Sequence, residues 1–449
     1  MKYHLKNAVL KCSLSAIFAA MSGSVAASGF ALIEQSVSSM GNAYAGGSAI
    51  AEDATTVYFN PAGMSRLSGT QYAVSVQGIQ PSTKFSDGGT TAAPFQSAGG
   101  NGGDAGGMTP VPNVSFVTEI NKQIKFGLEI NSPFGLQTNY DPNWIGRFQA
   151  IKSSLQTVNV NPAVSYQFND SVSVGAGVSF QHITGELSSG VNYAAAIYGG
   201  ALLQGATLQQ AAAAGAAAAG QQGVSTVKGS SDSYGYNLGA LFNFGTETRV
   251  GITYRSQVKQ SLSGTVDFTN VPTALAASSK FANGNIKLDI TLPDSFSTSV
   301  VHQVNPNYDV MADVTWTGWS AFQSLNVIRS DGSTLSSTSE NWKDTWRVSV
   351  GSTYRYNENW TSRFGVAYDQ SPVSDAYRTA RIPDQDRTWL ALGGQYKPTK
   401  SSSLDFGYAH LFVKNTSINN DQSASGAGTL VGTYASSIDI ISLQYGQSF

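Results

Sequence analysis

Residues 121–180 read NKQIKFGLEINSPFGLQTNYDPNWIGRFQAIKSSLQTVNVNPAVSYQFNDSVSVGAGVSF, and their rhythm decides the fold. Residues 122–130 set Ile124, Phe126, Leu128 and Ile130 on one face, and Gln123, Lys125, Gly127 and Glu129 on the other. Residues 171–180 repeat this, with Val172, Val174, Ala176, Val178 and Phe180 against Ser171, Ser173, Gly175, Gly177 and Ser179. A period of two marks a strand with two unlike faces. Strands of a soluble β-sandwich alternate as well, so the connections must separate the two cases. Asn121-Lys122 and Asn169-Asp170 are tight turns, whereas the connection 132–153 between them is long and irregular.

The rest of the chain keeps that rhythm. Short turns recur at 245–247, 305–307, 357–359 and 398–400, and long Gly/Ser/Asn-rich connections at 81–111, 185–231, 260–284, 330–341, 370–385 and 414–434. Tight turns on one side and long loops on the other are the pattern of an outer-membrane barrel. Seven long connections and six short turns predict an all-β transmembrane barrel of fourteen antiparallel strands, with both termini periplasmic. Closure also removes the exposed edges that so many strands would present. Ile441, Leu443, Tyr445 and Phe449 share a face of the last strand, which ends in an aromatic suited to the outer-membrane barrel assembly machinery; Gln447 interrupts the row.

Composition agrees. Charged residues make up only 12% of the chain, about half the usual share of a soluble domain, beside 47 Gly, 20 Tyr and 21 Phe. After the N-terminal segment there is no apolar run long enough for a helix to cross a bilayer, which needs about 20 residues. Low charge with abundant glycine and aromatics fits a barrel with apolar side chains outward and small polar ones inward. A net charge of −2 without a basic stripe gives no sign of nucleic-acid binding. Residues 1–27 carry Lys2, Lys6 and Lys11, a short apolar run, then Val25-Ala26-Ala27, the order of a secretory signal cleaved after Ala27. Cys12, the only cysteine, lies in that signal, so the mature chain has no disulfide or cysteine chemistry.

Between the signal and the first strand of the barrel at 69–449 lies 28–68, SGFALIEQSVSSMGNAYAGGSAIAEDATTVYFNPAGMSRLS. It has no core of its own, so its place is inside the barrel as a hatch, and a plugged barrel conducts something selected. Asn60-Pro61-Ala62 joins a turn-favouring side chain, a fixed φ and a small residue, suited to a tight bend against the wall. Gly127 marks either a bulge or room for the hatch.

Catalytic and metal chemistry find no support. By strand parity His182, His302 and His410 share faces with Phe180, Val300 and Phe412, the lipid side near strand ends, where amphipathic rings settle at the membrane interface. No cluster has metal-ligand spacing, and the glycines of 99–107 lack the Lys-Ser/Thr of a phosphate loop. The chain is read as no enzyme and as needing no cofactor. Two loops suit an apolar ligand. Residues 194–220, with Ile197, Tyr198, Leu202, Leu203, Leu208 and an alanine run, read as a surface helix pair, either a capture patch or a low-complexity spacer. Pro133-Phe134-Gly135-Leu136 and Trp144-Ile145-Gly146-Arg147 put bulky apolar groups beside a cation, as an amphiphile requires; an aromatic girdle with a lipopolysaccharide-facing arginine is the other reading.

These motifs resemble the FadL/TodX family of outer-membrane transporters for long-chain fatty acids and other hydrophobic compounds. Ser28-Gly29-Phe30, Gly41-Asn42-Ala43-Tyr44-Ala45-Gly46 and Asn60-Pro61-Ala62 look like its N-terminal hatch. Phe134-Gly135-Leu136, Leu292-Pro293-Asp294-Ser295, Trp316-Thr317-Gly318-Trp319-Ser320-Ala321-Phe322 and Ile382-Pro383-Asp384-Gln385-Asp386-Arg387 extend the similarity along the chain. The resemblance implies capture at the outer loops, transfer to an inner pocket holding Phe30, hatch rearrangement, and sideways exit at a kinked strand. Sideways exit is sound physically, because an apolar tail gains nothing by entering water. Fatty-acid carriers of the family offer cations in two neighbourhoods that here read Gly185-Glu186-Leu187-Ser188 and Ser336-Ser337-Thr338-Ser339. That leaves Arg147, Lys343 and Arg347 as candidates for the head group and weighs toward a neutral cargo. The expectation is a monomeric outer-membrane channel, surrounded by lipopolysaccharide and outer-membrane lipid, for passive uptake of long-chain fatty acids or hydrocarbons. A general porin, a lipid-acting barrel enzyme and an adhesin are the competing readings.

Overall fold

The computed structural model describes residues 29–449, so the expected signal at 1–27 lies outside the described residues. Twenty strand segments form one antiparallel sheet closed on itself, and six strands are each interrupted once, which makes fourteen. In chain order they are β1 (Thr70–Asp87), β2 (Thr109–Glu119), β3 (Ile124–Asn131 and Gly135–Asn139), β4 (Lys152–Gln167), β5 (Val172–Asn192), β6 (Gln222–Phe244) and β7 (Thr248–Arg255 and Val258–Phe268). Then follow β8 (Gly284–Leu292 and Ser295–Asn305), β9 (Tyr308–Thr317 and Ser324–Arg329), β10 (Thr334–Ser339 and Thr345–Arg355), β11 (Trp360–Asp369), β12 (Arg387–Thr399), β13 (Ser402–Val413 and Thr416–Asp421) and β14 (Thr429–Ser448). Each strand pairs with its sequence neighbours, and β14 closes the wall on β1 from Gln71↔Ser448 to Asp87↔Gly432.

The short turns form for a local reason. Asn121, Asn169 and Asn357 each turn a side-chain oxygen onto the backbone N–H groups two and three residues on, at 2.9–3.0 Å. Such side-chain turns reverse a chain without a long loop. Along β5 the parity is as expected: Val174, Val178 and Phe180 are exposed, while Ser173 and Ser179 are buried. The last strand also turns Ile441, Leu443 and Tyr445 outward; Gln447 accepts a hydrogen bond from the Tyr445 hydroxyl at 2.7 Å, so the break in its apolar row is a local polar contact.

Several long connections shrink because the strands run farther than the apolar pattern. β5 and β6 continue paired to Asn192↔Gln222, inside the expected loop 185–231. Likewise 330–341 is a hairpin, in which Ser324↔Ser339 pairs up to a tight turn at 330–333. Beyond the apolar band the hairpins face water, so no hydrophobic side chain is required and the backbone ladder itself keeps them paired. Polar, Gly/Ser-rich strands carry no hydrophobic alternation by which sequence would find them.

Ahead of β1, among the described residues, run three single-turn helices, α1 (Val37–Met40), α2 (Gly47–Ile50) and α3 (Thr56–Phe59), and a 3-10 helix, Pro61–Arg66. The first packs on β12, β13 and β14, the second on β7 and β8, and the 3-10 helix on β3 to β6. Contact with strands on opposite sides of a closed wall places the segment in the lumen.

Candidate functional site

The wall breaks at β3. Pro133 has no N–H to give the ladder and disfavours helical geometry in the residue before it, and the strand stops between Asn131 and Gly135. β2 pairs with β3 only from Glu119↔Lys125 to Val114↔Ile130, although β2 itself runs on to Thr109 along β1. The upper half of β3, Gly135–Asn139, pairs with β4 alone. The wall is therefore unzipped between β2 and β3, where backbone groups need partners.

Residues 30–35 supply them from inside. Leu32 N donates to Pro133 O at 2.8 Å and Gly135 N to Phe30 O at 2.9 Å, an antiparallel bridge with Ala31 opposite Phe134. The Gln35 amide donates to Ser132 O at 2.9 Å, and the Asn113 amide reaches from β2 to Glu34 O at 3.1 Å.

Beside the break lies a packed apolar cluster. Phe30 is buried, with ring centroids 4.7 Å from Trp319, 5.5 Å from Trp342, 5.7 Å from Phe322 and 6.1 Å from Phe134. Leu136, Ile183, Leu262, Ile286 and Leu288 extend the cluster. Edge-on aromatic contacts of this kind add to the gain from burial alone. By contrast, a cavity of about 210 Å³ near the short turns is lined by Ser65, Arg66, Gln167, Asn169, Asp170, Ser173 and Asn243, a polar set unsuited to an apolar tail.

Asn60-Pro61-Ala62 makes the tight bend its residues suggest. The Asn60 amide donates to Ser48 O at 2.6 Å and to Ala240 O on β6 at 2.9 Å, while its oxygen caps Ala62 N at 3.0 Å. Pro61 starts the 3-10 helix, where its missing N–H costs nothing. The wall makes room with glycine. A Cβ on Gly175 would sit 2.5 Å from Ala62 N, and one on Gly239 would collide with the Asn60 side chain. Gly127 serves the same purpose: it lies in unbroken register, so it is no bulge, and a side chain there would strike Met64 and Val57.

Below this bend, ions tie the segment to the wall. The Glu52 carboxylate lies 2.9 Å from Arg363 on β11 and 3.7 Å from Arg355, and Arg363 is itself 2.9 Å from Asp405 on β13. Sequence reading does not find this network; the available signal was a charge at an inward parity position in a chain that has few.

Outside, the loop helices exist: α4 (Tyr193–Leu203) and α5 (Leu208–Ala217), the latter begun by a capping box at Thr207 and Gln210. Leu203 is 92% exposed and Leu208 71%, while Leu202 is half-buried. The patch is thus at the tip between the helices, where Leu203 and Leu208 have no core to fill.

The three cations singled out for a head group are scattered. Arg147 donates to Gln222, Ala98 O, Trp144 O and Ser97 O at 2.9–3.1 Å, so it binds the loops together. Arg347 donates to Ala43 O at 2.8 Å and lies over the rings of Trp389 and Tyr44, holding the lumenal segment. Lys343 is exposed. Sequence reading passes over Arg381, next to Ile382 of the apolar cluster. Its Nη1 donates to Lys152 O, Ser153 Oγ and Ser188 O at 3.1–3.3 Å. Burial lowers Arg381 to about 10, and burial raises the Glu340 carboxyl near it to about 7. The histidines stay on the outer surface, His182 with Asp232, His302 with Thr248 and His410 with Asp439, and none belongs to the apolar cluster.

A family model described as outer membrane protein transport protein (OMPP1/FadL/TodX) matches residues 18–449. The long-chain fatty acid transport protein of Escherichia coli K12 is 30% identical over 430 residues, covering 92% of this chain and 94% of the relative. Outer membrane protein P1 of Haemophilus influenzae is 29% identical over 407 residues, 87% of each chain. Among solved structures, a Pseudomonas aeruginosa FadL homologue superposes with a TM-score of 0.83 at 26% identity, covering 94% of this chain and 99% of the other. The Pseudomonas putida toluene transporter TodX shares the fold, with a TM-score of 0.62 at 18% identity over 88% of this chain and 94% of its own.

Proposed function

The chain belongs to the OMPP1/FadL/TodX family of outer-membrane transport proteins, and from that premise we propose that it takes up long-chain fatty acids passively and releases them sideways into the membrane. It is an outer-membrane channel for hydrophobic molecules. The observation that carries the finer reading is the unzipped wall between β2 and β3, filled at 132–135 by residues 30–35 and beside the apolar cluster around Phe30. A tail leaving through such a gap passes from apolar side chains to lipid without meeting water.

In this reading residues 28–68 are the hatch, residues 69–449 the barrel, and residues 1–27 the signal removed on export. Leu202, Leu203 and Leu208 at the loop tip collect the cargo, with Phe134 and Leu136 farther in. Displacement of Phe30 by an arriving tail frees residues 30–35 from the break. The barrel works as a monomer with both termini periplasmic, lipopolysaccharide around its outer loops, and Phe449 as the signal for the assembly machinery. No bond is made or broken and no cofactor takes part.

A neutral hydrocarbon is the second reading, favoured by the absence of a cation at 185–188 and 336–339. The experiment uses cells lacking their own channel for hydrophobic compounds, with this chain expressed. Uptake of radiolabelled oleate above the empty-vector control supports fatty-acid transport. Uptake of dodecane without oleate favours the neutral cargo, and ion conductance without either would make the chain a porin.

A further inference from the structure

Next to the break, the inward faces of β2, β3 and β4 carry a polar patch. Ser115, Glu129 and Asn161 stand in one row, paired Ser115↔Glu129 and Glu129↔Asn161. Asn131 and Asn159 pair in the next row, and Asn113 lies two residues along β2 from Ser115. Neighbouring strands are about 4.8 Å apart and same-face residues about 7 Å apart along a strand, so the six side chains share a small area. All are at most 2% exposed.

Acceptors outnumber donors in this patch. Both Glu129 carboxylate oxygens and the side-chain oxygens of Asn113, Asn159 and Asn161 accept no hydrogen bond of ordinary geometry from described residues; against them stand two unspent donors, Ser115 Oγ and Asn131 Nδ2. Turning the amides over does not repair the balance. Asn161 Nδ2 donates to Pro162 O at 3.2 Å and to Val178 O of β5 at 3.1 Å, and Asn113 Nδ2 to Glu34 O at 3.1 Å. Carbonyls only accept, so those nitrogens fix where the two oxygens lie. No lysine or arginine among the described residues forms an ion pair with Glu129. The charge of Arg255 on β7 reaches it, but Arg255 Nη2 is spent on Tyr58 O at 2.9 Å. Water can donate to such oxygens, yet it leaves the charge of a buried carboxylate unmatched, which is costly.

We propose that this patch binds one alkali cation, sodium or potassium, on the Glu129 carboxylate, with the Asn161 oxygen and water in its shell. A single carboxylate is too little charge for calcium, whose tight sites draw on several, and the described residues hold no group of three or more His, Cys, Asp or Glu side chains fit for a metal. Alkali ions, by contrast, are well served by neutral oxygens. The site also has a route to the lumenal segment. Asn113 turns its amide nitrogen to Glu34 O, within the residues that fill the break, and leaves its oxygen in the patch. A cation drawing on that oxygen holds the amide in place and so favours the docked position of residues 30–35. The site itself does not depend on the transport reading; this last effect does.

The test begins with crystals of the purified full-length barrel grown with thallium(I) acetate in place of sodium and potassium salts. An anomalous peak beside the Glu129 carboxylate, absent from Glu129→Gln crystals, is the expected result. Water density alone at Glu129 overturns the proposal, as does thallium on surface carboxylates alone, an adventitious ion only. The second readout is hydrogen exchange of residues 30–35 in non-ionic detergent. In the wild type it should be several-fold slower in sodium chloride or potassium chloride than in choline chloride of equal ionic strength, and in Glu129→Gln it should be the same in all three salts. Equal exchange in the wild type overturns the hold on residues 30–35, even where thallium marks the site. If Glu129→Gln does not assemble, the wild-type peak and the wild-type salt comparison decide by themselves. Neither readout involves cargo, so failure here leaves the oleate and dodecane experiment to judge transport separately.

Discussion

Replacing Asn60 by Ala removes the joint between the lumenal segment and the wall. Three hydrogen bonds disappear: to Ser48 O at 2.6 Å, to Ala240 O at 2.9 Å, and from Ala62 N at 3.0 Å. Only the second crosses to the barrel, while the other two keep the bend in shape. At about 1 kcal/mol net for each buried bond, the docked and ordered segment loses about 3 kcal/mol. That moves the balance between docked and undocked forms by roughly a hundredfold. The ladder of fourteen strands does not use the Asn60 side chain, so the barrel should assemble normally and keep its heat-modified gel shift. A fourteen-stranded lumen without its filling is wide enough for water and ions. Single-channel recording in planar bilayers should therefore show frequent open events for the variant and rare ones for the wild type. If Asn60→Ala is as silent as the wild type, the segment is not held by this bend and the reasoning fails.

Other perturbations act on neighbouring parts. Ala62→Leu has no room, with Ala62 wholly buried and the Gly175 backbone against it, so labelled oleate uptake should slow while the amount of folded barrel stays constant. Changing Leu202, Leu203 and Leu208 together to Ser should weaken capture several-fold at limiting oleate, since each leucine covered by a tail contributes up to about 1.5–3 kcal/mol. Equal uptake at low oleate would leave α4 and α5 as a spacer. Arg363→Met strands the buried carboxylate of Asp405 and leaves Glu52 only its 3.7 Å contact with Arg355, and breaking one side of a buried pair typically costs about 3–5 kcal/mol. Faster trypsin cleavage within residues 29–67 is the expected result; unchanged cleavage would mean that the network does not hold the segment.

Most of the barrel was legible in sequence because a lipid-facing strand must alternate and the connections at one end of the barrel are short. Asn121, Asn169 and Asn357 marked the turns by a side-chain chemistry that needs no tertiary partner. The strand ends above the membrane were hidden, as at 324–339, because polar ladders in water leave no apolar period. The site was legible where backbone shape dictates the residue, at Asn60-Pro61-Ala62 and at Gly127. Arg381 was not, because its contacts depend on where β3, β4 and β5 meet the connection 370–386, which no local pattern records. Arg147 and Arg347 looked free in sequence for the same reason: each donates to a backbone carbonyl distant in the chain, Ser97 O and Ala43 O.

Sideways release past residues 30–35 is the central claim, and a reversible lock on that strand tests it most directly. Ala31 and Phe134 face each other across the bridge that closes the break in β3, and opposed residues in antiparallel strands are within disulfide reach. The double variant Ala31→Cys with Phe134→Cys would place its only cysteines outside the 1–27 segment there, since Cys12 is the chain's sole native one. Labelled oleate uptake should fall to the empty-vector level when the pair is oxidised and return when it is reduced, in the same cells and with the same amount of barrel. Equal uptake in the oxidised and reduced states would contradict the account, because the cargo would then be leaving without moving residues 30–35 from the gap.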